Sequence, residues 1–340
     1  MPLQTGLIGF GLGGATFHAP LIAALPAYEL AFIVTANADR REQAQRSYPR
    51  ATVLRTVEDL WRHAGDLDLV IVASPNRAHV PQALAALERG LAVVVDKPLA
   101  ATAQDARMLI AQAQRRQRPL TVFHNRRWDG DFLTVRKLIA AGALGDVWRF
   151  ESRFERWRPA PRAGWREAGE PKDAGGLLFD LGSHLIDQAL VLFGPVRRVH
   201  GELKRRRPGV LVDDDAFVAL EHENGLVSHL WMSSVAAQGG PRFRVLGSRA
   251  AFVKYGMDVQ EDELRGGMRP TDERWGEDPE ENWGTLGAGS DVERVPSERG
   301  AYQEFYAQLA AALTSNASLP VDPADAVRTL SIIDTIRTML

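Results

Sequence analysis

The chain has 340 residues, 45% of them hydrophobic and 25% charged, the balance of a soluble globular protein that is too long for one comfortable core and is expected to divide into two domains. With 41 basic and 43 acidic side chains the formal charge is −2, so there is no global field to collect nucleic acid, an acidic membrane surface or another polyanion. Cysteine is absent, which excludes disulfide frameworks and thiol chemistry and makes a reducing cytoplasm the expected home. The opening residues Met1-Pro2-Leu3-Gln4-Thr5 show no basic region ahead of an apolar one. No apolar run approaches the roughly 18–20 residues that span a bilayer, so neither a signal peptide nor a membrane segment is expected.

From residue 5 to about residue 121, apolar runs of strand length alternate with helical patterns. The strands expected are 5–9, 30–35, 67–73, 91–95 and 120–123, each nearly continuous in apolar residues, as strands covered on both faces are. That alternation predicts a doubly wound parallel sheet, a Rossmann domain over residues 1–122. Thr56 with Asp59, and Thr102 with Asp105, have the spacing of capping boxes that satisfy free N–H groups at a helix start. After a helical stretch at 129–141 the character changes. Residues 147–157 read as a long strand with Trp148, Phe150 and Phe154 on one face, followed by a helical run at 176–193. Residues 216–234 read as two strands joined at Asn224-Gly225, where both residues tolerate positive φ. Residues 242–246 and 251–255 flank a Gly247-Ser248 turn in the same style. The stretch 256–300 is rich in Gly, Pro and acidic residues and is expected to be a long functional loop or an excursion at an interface. Helices at 301–314 and 324–339, the second capped by Asp322 with Pro323 in first position, close an α+β domain over 123–340.

The first chemical motif is Gly9-Phe10-Gly11-Leu12-Gly13-Gly14, a G-x-G-x-x-G that follows the first strand and opens a helix. Gly9 permits a tight turn, Gly11 lets backbone approach a pyrophosphate, Gly14 lets helix and strand pack closely, and the helix N-terminus offers N–H groups to the anion. The string alone also fits a glycine-rich turn; its place on the first strand is what points to a dinucleotide. About 20 residues later, where NAD sites carry an acid for the ribose hydroxyl, the chain reads Val34-Thr35-Ala36-Asn37. Without a carboxylate there, and with Thr35, Asn37 and Arg40 able to bond or neutralise a 2′-phosphate, NADP(H) is expected over NAD(H), although Asp39 leaves NAD open and Arg40 also fits a solvated helix start. Ser74-Pro75-Asn76, with His79 in the next helix, ends a parallel strand, where α/β sheets hold ligands; a plain helix cap also explains Asn76. The next strand ends Val95-Asp96-Lys97-Pro98, which would send an amine into the crevice from a restricted backbone, although a lysine is ordinarily just exposed.

In Gly176-Leu177-Leu178-Phe179-Asp180-Leu181-Gly182-Ser183-His184, Asp180 and His184 stand four apart and share one helix face. A carboxylate beside an imidazole fixes its tautomer and raises its basicity, as proton transfer requires; a structural hydrogen bond is the bland alternative. Trp128, Trp157 and Trp165 suit the floor of a sugar-sized pocket, or the core. Lys204-Arg205-Arg206-Arg207 is answered by Asp213-Asp214-Asp215 and reads as a solvated hairpin end. The eight His form no ligand cluster, so no metal is expected.

Taken together, the glycine motif, Ser74-Pro75-Asn76 with His79, Asp96-Lys97-Pro98, and Asp180 with His184 in a Gly-Ser-His-x-x-Asp run resemble the Gfo/Idh/MocA oxidoreductases over nearly the whole chain. The runs 124–132, 179–184 and 252–256 look like the branch that contains NADP-dependent scyllo-inositol dehydrogenase. The resemblance implies that Lys97, Asp180 and His184 are catalytic, that Gly9, Phe10, Gly11, Gly13, Gly14, Thr35, Asn37, Arg40, Ser74, Asn76, His79 and Lys97 meet the cofactor, and that Asn125, Trp128 and Trp165 meet a polyol, cyclitol or sugar. It further implies an open, mainly antiparallel sheet that pairs subunits into a dimer or a dimer of dimers. Asp96 stands where many members have Glu, and Asn37 where NADP users of the branch commonly have a basic residue. The alternative readings are a non-catalytic dinucleotide-binding sensor of the same fold, and a glycine loop for S-adenosylmethionine or flavin.

Overall fold

The apolar runs of the first 125 residues become a parallel sheet, since each run is covered on both faces by the helices that alternate with it. In the structure, a computed structural model that describes residues 1–161, 167, 169, 173–315 and 317–339, β1 (Leu3–Ile8) leads through a glycine turn into a π-helical turn over Gly13–His18 and α1 (Ala19–Ala23). There follow β2 (Tyr28–Val34), α2 (Ala38–Ser47), β3 (Thr52–Leu54), α3 (Val57–Trp61), β4 (Leu69–Val72), α4 (His79–Glu88), β5 (Ala92–Asp96), α5 (Ala103–Arg115) and β6 (Leu120–Phe123). The strand order is β3-β2-β1-β4-β5-β6 with every pairing parallel. This is the doubly wound order of dinucleotide folds, with its topological switch point between β1 and β4. Thr56 and Thr102 cap α3 and α5 by accepting the N–H of Asp59 and Asp105, both at 3.1 Å.

The rest of the chain runs through α6 (Gly130–Ala140), β7 (Val147–Glu155), a second π-helical turn at Leu178–Gly182 continuing as α7 (Ser183–Phe193), β8 (Val196–Lys204), β9 (Asp215–His222), β10 (Val227–Ser233), β11 (Phe243–Gly247) and β12 (Ala251–Lys254). Beyond these lie α8 (Gln260–Arg265), β13 (Gly284–Ala288), β14 (Asp291–Val295), α9 (Gln303–Ser315) and α10 (Pro323–Thr338). Among the described residues eight strands form one sheet in the order β14-β13-β12-β11-β7-β10-β9-β8, antiparallel except for the β10–β7 pair. Burial alternates along β9 and β10, so one face packs on the core and the other does not. Phe150, Val218, Leu230, Phe243 and Phe252 are fully buried on the core side with Leu185 and Ile186 of α7. Phe154 is buried, whereas Trp148 near the start of the same strand is 51% exposed.

The 256–300 stretch is not a structureless loop: it supplies α8 and the hairpin β13–β14, which extends the sheet by two strands. Two compact units result. One comprises Met1–Asn125, Gln260–Trp275 and Ala301–Val327, the other Arg126–Val259, Gly276–Gly300 and Arg328–Leu340. Among the described residues no helix is long and apolar enough to cross a membrane.

Candidate active site

In the first unit the expected cofactor residues lie at the carboxyl ends of β1, β2, β4 and β5. Gly9 has φ +99°, and a Cβ there would meet the Ala73 carbonyl at 2.6 Å, so the turn is available only to glycine. A Cβ on Gly14 would stand 1.9 Å from the Gly9 carbonyl oxygen, and one on Gly13 would stand 2.6 Å from Asp96 Oδ2. Gly11 differs: the nearest atom to its Cβ position is the Arg40 guanidinium, at 3.6 Å. Protein thus fills the space beside Gly9, Gly13 and Gly14 and leaves Gly11 open under one cation. That open backbone, ahead of N–H groups at a helix start, fits a pyrophosphate.

Around this turn, Phe10 is buried and meets the Tyr48 ring edge-on at 6.2 Å. Burial raises the Tyr48 pKa above the usual phenol value against an opposing hydrogen bond from Arg269, a residue carried in from the 260–275 segment. The Asn37 side chain accepts the Arg40 N–H at 2.9 Å, capping α2. Thr35 is buried and its N–H donates to the Leu54 carbonyl at 3.0 Å. Ser74 donates to Gln82 Oε1 at 2.6 Å, and Asn76, nearly buried, begins a short 3₁₀ turn. His79 lies with its ring nitrogens 2.8 Å from the carbonyl oxygens of Pro98 and Ser74, tying the β4 turn to the segment after β5. Burial lowers its pKa against those two carbonyls and Asp96. Lys97, at the end of β5, donates its backbone N–H to Asp96 Oδ1 at 2.8 Å and precedes a cis proline bond.

The second unit holds Asp180 and His184. The helix opens as a π turn rather than a regular α-helix, yet this wider turn still leaves residues four apart within about one turn. Asp180 is 4.0 Å from the Arg156 guanidinium. His184, only 6% exposed, has its ring 6.5 Å from that of Phe154. Arg126 and Arg242 lie over the Phe154 ring at 4.7 and 5.0 Å, so positive charge flanks the aromatic next to the imidazole. One turn beyond His184, Asp187 takes a bidentate bond from Arg127 at 2.8 and 2.6 Å. Gln188 accepts from Arg242 at 2.9 Å and donates to the Arg126 carbonyl at 2.8 Å. Such a buried, fully bonded pair as Arg127–Asp187 holds α7 firmly, since removing one partner leaves a charge uncompensated at a cost of about 3–5 kcal/mol. Trp128 is 8% exposed and Asn125 6%, Trp157 is 57% exposed, and Trp165 lies outside the described residues.

Residues 3–124 match the oxidoreductase family with an NAD-binding Rossmann fold, and residues 132–253 match the GFO/IDH/MocA C-terminal domain. The chain belongs to the Gfo/Idh/MocA oxidoreductase family. It is similar to scyllo-inositol 2-dehydrogenase (NADP(+)) IolW of Bacillus subtilis, 36% identical over 98% of this chain and 92% of that protein. A D-glucoside 3-dehydrogenase of Escherichia coli is 27% identical over 68% of this chain and 70% of its own. Among solved structures, the oxidoreductase YvaA of Bacillus subtilis superposes with a TM-score of 0.92 at 35% identity, covering 99% of this chain and 96% of that one. As a Gfo/Idh/MocA member, the chain is an oxidoreductase with an NAD-binding Rossmann domain, in a family whose named relatives are dehydrogenases. The residues that the sequence does not single out are His18 at the end of the turn that begins at Gly13, Tyr306 bonded to it, Arg269 beside Tyr48, and Arg126, Arg127 and Arg242 around α7. Arg126 and Arg127 stood in a run already noted, but buried arginines carry no spacing signal of their own.

Proposed function

We propose that the chain transfers hydride between NADP(H) and a secondary alcohol or ketone carbon of a polyol, inositol-like cyclitol or sugar. The observation that supports this most is the glycine turn, packed by protein beside Gly9, Gly13 and Gly14 but open at Gly11 under Arg40, together with Lys97 following the strand whose Asp96 abuts that turn. The relation to an NADP-dependent inositol dehydrogenase supports the substrate class and the cofactor. The nicotinamide supplies the hydride chemistry, and the protein supplies orientation and one proton. In this reading the backbone N–H groups at Gly11–Gly14 hold the pyrophosphate. Arg40, with Thr35 and Asn37 beside it, takes the 2′-phosphate as a charge-assisted contact.

In the oxidative direction His184 accepts the proton of the reacting hydroxyl, and Asp180 steadies the imidazole and its charged form. Lys97 donates a hydrogen bond to the same oxygen, stabilising the negative charge that develops there. Asn125, Trp128 and Trp165 serve the polyol side. The outer sheet face, where half-buried Phe217, His229 and Trp231 cluster with the Arg153 guanidinium 3.9 Å over the Trp231 ring, serves as the dimer surface. The test is turnover of NADPH and NADP⁺ on a panel of inososes, ketoses and polyols, with Lys97→Met and His184→Ala each expected to lower kcat at least about 10²-fold while cofactor binding persists. A wild-type protein that binds NADPH but turns over nothing in the panel would instead favour a dinucleotide-binding sensor.

A further inference from the structure

His18, the last residue of the π-helical turn that begins at Gly13, is 0% exposed. Its Nδ1 is 2.5 Å from the hydroxyl of Tyr306 on α9, and Tyr28 donates to the Tyr306 carbonyl at 2.7 Å behind it. Its Nε2 has no hydrogen-bond partner among the described residues and faces Asp96 Oδ2 at 4.0 Å. The same carboxylate sits against Gly13, where a Cβ would come within 2.6 Å of Oδ2, and its Oδ1 accepts the Lys97 backbone N–H at 2.8 Å. One carboxylate therefore touches both the dinucleotide turn and the peptide that carries Lys97, with a buried imidazole behind it.

Burial pushes His18 down to about 4 against the pull of Asp96, so at neutral pH the ring is uncharged and carries one N–H. If that hydrogen were on Nδ1, the Nε2 lone pair would be directed at a carboxylate. With the hydrogen on Nε2, its dipole points at Asp96 and Nδ1 accepts from the phenol. Burial lifts Tyr306 well above the ordinary phenol value, so its hydroxyl keeps a hydrogen to donate to Nδ1, and the acceptor-only Asp96 carboxylate facing Nε2 favours this second tautomer. We propose that His18 is a positioning residue: set in its Nε2–H tautomer by Tyr306, it steers the Asp96 carboxylate between Gly13 and the Lys97 amide, and so fixes where the Lys97 side chain starts relative to the dinucleotide turn. The importance of Lys97 rests on the dehydrogenase reading above; the tautomer and the Asp96 placement do not.

Two measurements on the full chain separate these layers. The first is ¹⁵N NMR of the histidine-labelled protein at neutral pH without cofactor, which is expected to show His18 as the neutral Nε2–H form, with Tyr306→Phe redistributing the hydrogen between the nitrogens. The second compares His18→Gln, whose amide nitrogen falls near the place of Nε2, with His18→Asn, whose amide nitrogen falls near that of Nδ1, by NADPH affinity, melting temperature and, on any substrate the wild type turns over, kcat and KM. Displacing a reacting group by ~1 Å costs up to about 10²-fold, so His18→Asn is expected to lower kcat about 10- to 100-fold with NADPH affinity within about threefold, and His18→Gln to recover most of the loss. An Nδ1–H tautomer in the wild type, or Gln and Asn variants with equal kcat, overturns the proposal. If the wild type turns over no substrate, the dehydrogenase reading falls and the NMR result alone decides the steering of Asp96.

Discussion

The glycine turn predicts opposite effects for two substitutions three residues apart. At Gly11 the nearest atom to a new Cβ is the flexible Arg40 guanidinium at 3.6 Å, an ordinary contact, and its φ lies outside the left-handed range. Gly11→Ala should therefore leave the melting temperature unchanged or raise it slightly, because alanine narrows the unfolded ensemble by about 0.4–1 kcal/mol. The added methyl stands where the dinucleotide backbone must pass, and overpacking of about 1–3 kcal/mol corresponds to about 5- to 150-fold weaker binding. At Gly14 the Cβ would stand 1.9 Å from a backbone oxygen that cannot move aside. Gly14→Ala should then unfold or strongly destabilise the protein before binding can be measured. NADPH fluorescence titration and thermal denaturation of both variants, run side by side, read the two effects. A Gly11→Ala protein that binds NADPH as tightly as the wild type would refute the placement of the cofactor on this turn.

Three further outcomes follow from the geometry. Arg40→Ala should weaken NADPH binding about 10- to 100-fold, the value of one charge-assisted contact, and leave NADH nearly unchanged; equal losses for both would remove Arg40 from the 2′-phosphate. His18 titrates at about 4 folded and near 6.5 unfolded, so the unfolded chain binds the proton more strongly in between and stability falls as pH drops through that window. Between pH 7 and pH 5 the loss assigned to this residue is about 2 kcal/mol, and denaturant unfolding of His18→Gln should show a correspondingly flatter pH dependence than the wild type, with an unchanged slope as the contrary result. Trp231→Glu, on the outer sheet face, should convert a dimer to monomers in sedimentation, and a wild type that is already monomeric contradicts the proposed interface.

The parallel sheet was legible because its strands β1, β2, β4, β5 and β6 are continuous apolar runs and its caps at Thr56 and Thr102 have fixed spacing. β3, only three residues, is too short to announce itself, and β8 is largely exposed along its length with Gly201 at its centre. The β13–β14 hairpin was hidden by glycine and charge, which suit a two-stranded sheet edge as well as they suit a loop. In the site, backbone-driven positions such as Gly9 and Gly14 could be read from a pattern, because their requirement is local. His18 and Tyr306 are 288 residues apart, and Arg127 pairs with Asp187 across 60 residues. Nothing in either stretch alone marks such a pair, since burial and partner choice arise only when the chain is folded. The helix carrying Asp180 and His184 was legible as a helix, but its π turn was not, because sequence periodicity does not separate one extra residue in a turn from a regular start.

The amine of Lys97 and the imidazole of His184 are proposed to act on one substrate oxygen beside the nicotinamide. A crystal structure of the protein with NADP⁺ and a polyol that it turns over tests this placement. Lys97 Nζ and a ring nitrogen of His184 are both expected within about 3.2 Å of the same hydroxyl, with Asp180 bonded to the other ring nitrogen. A polyol whose reacting hydroxyl meets neither group, or a Lys97 amine directed away from the nicotinamide, would contradict it.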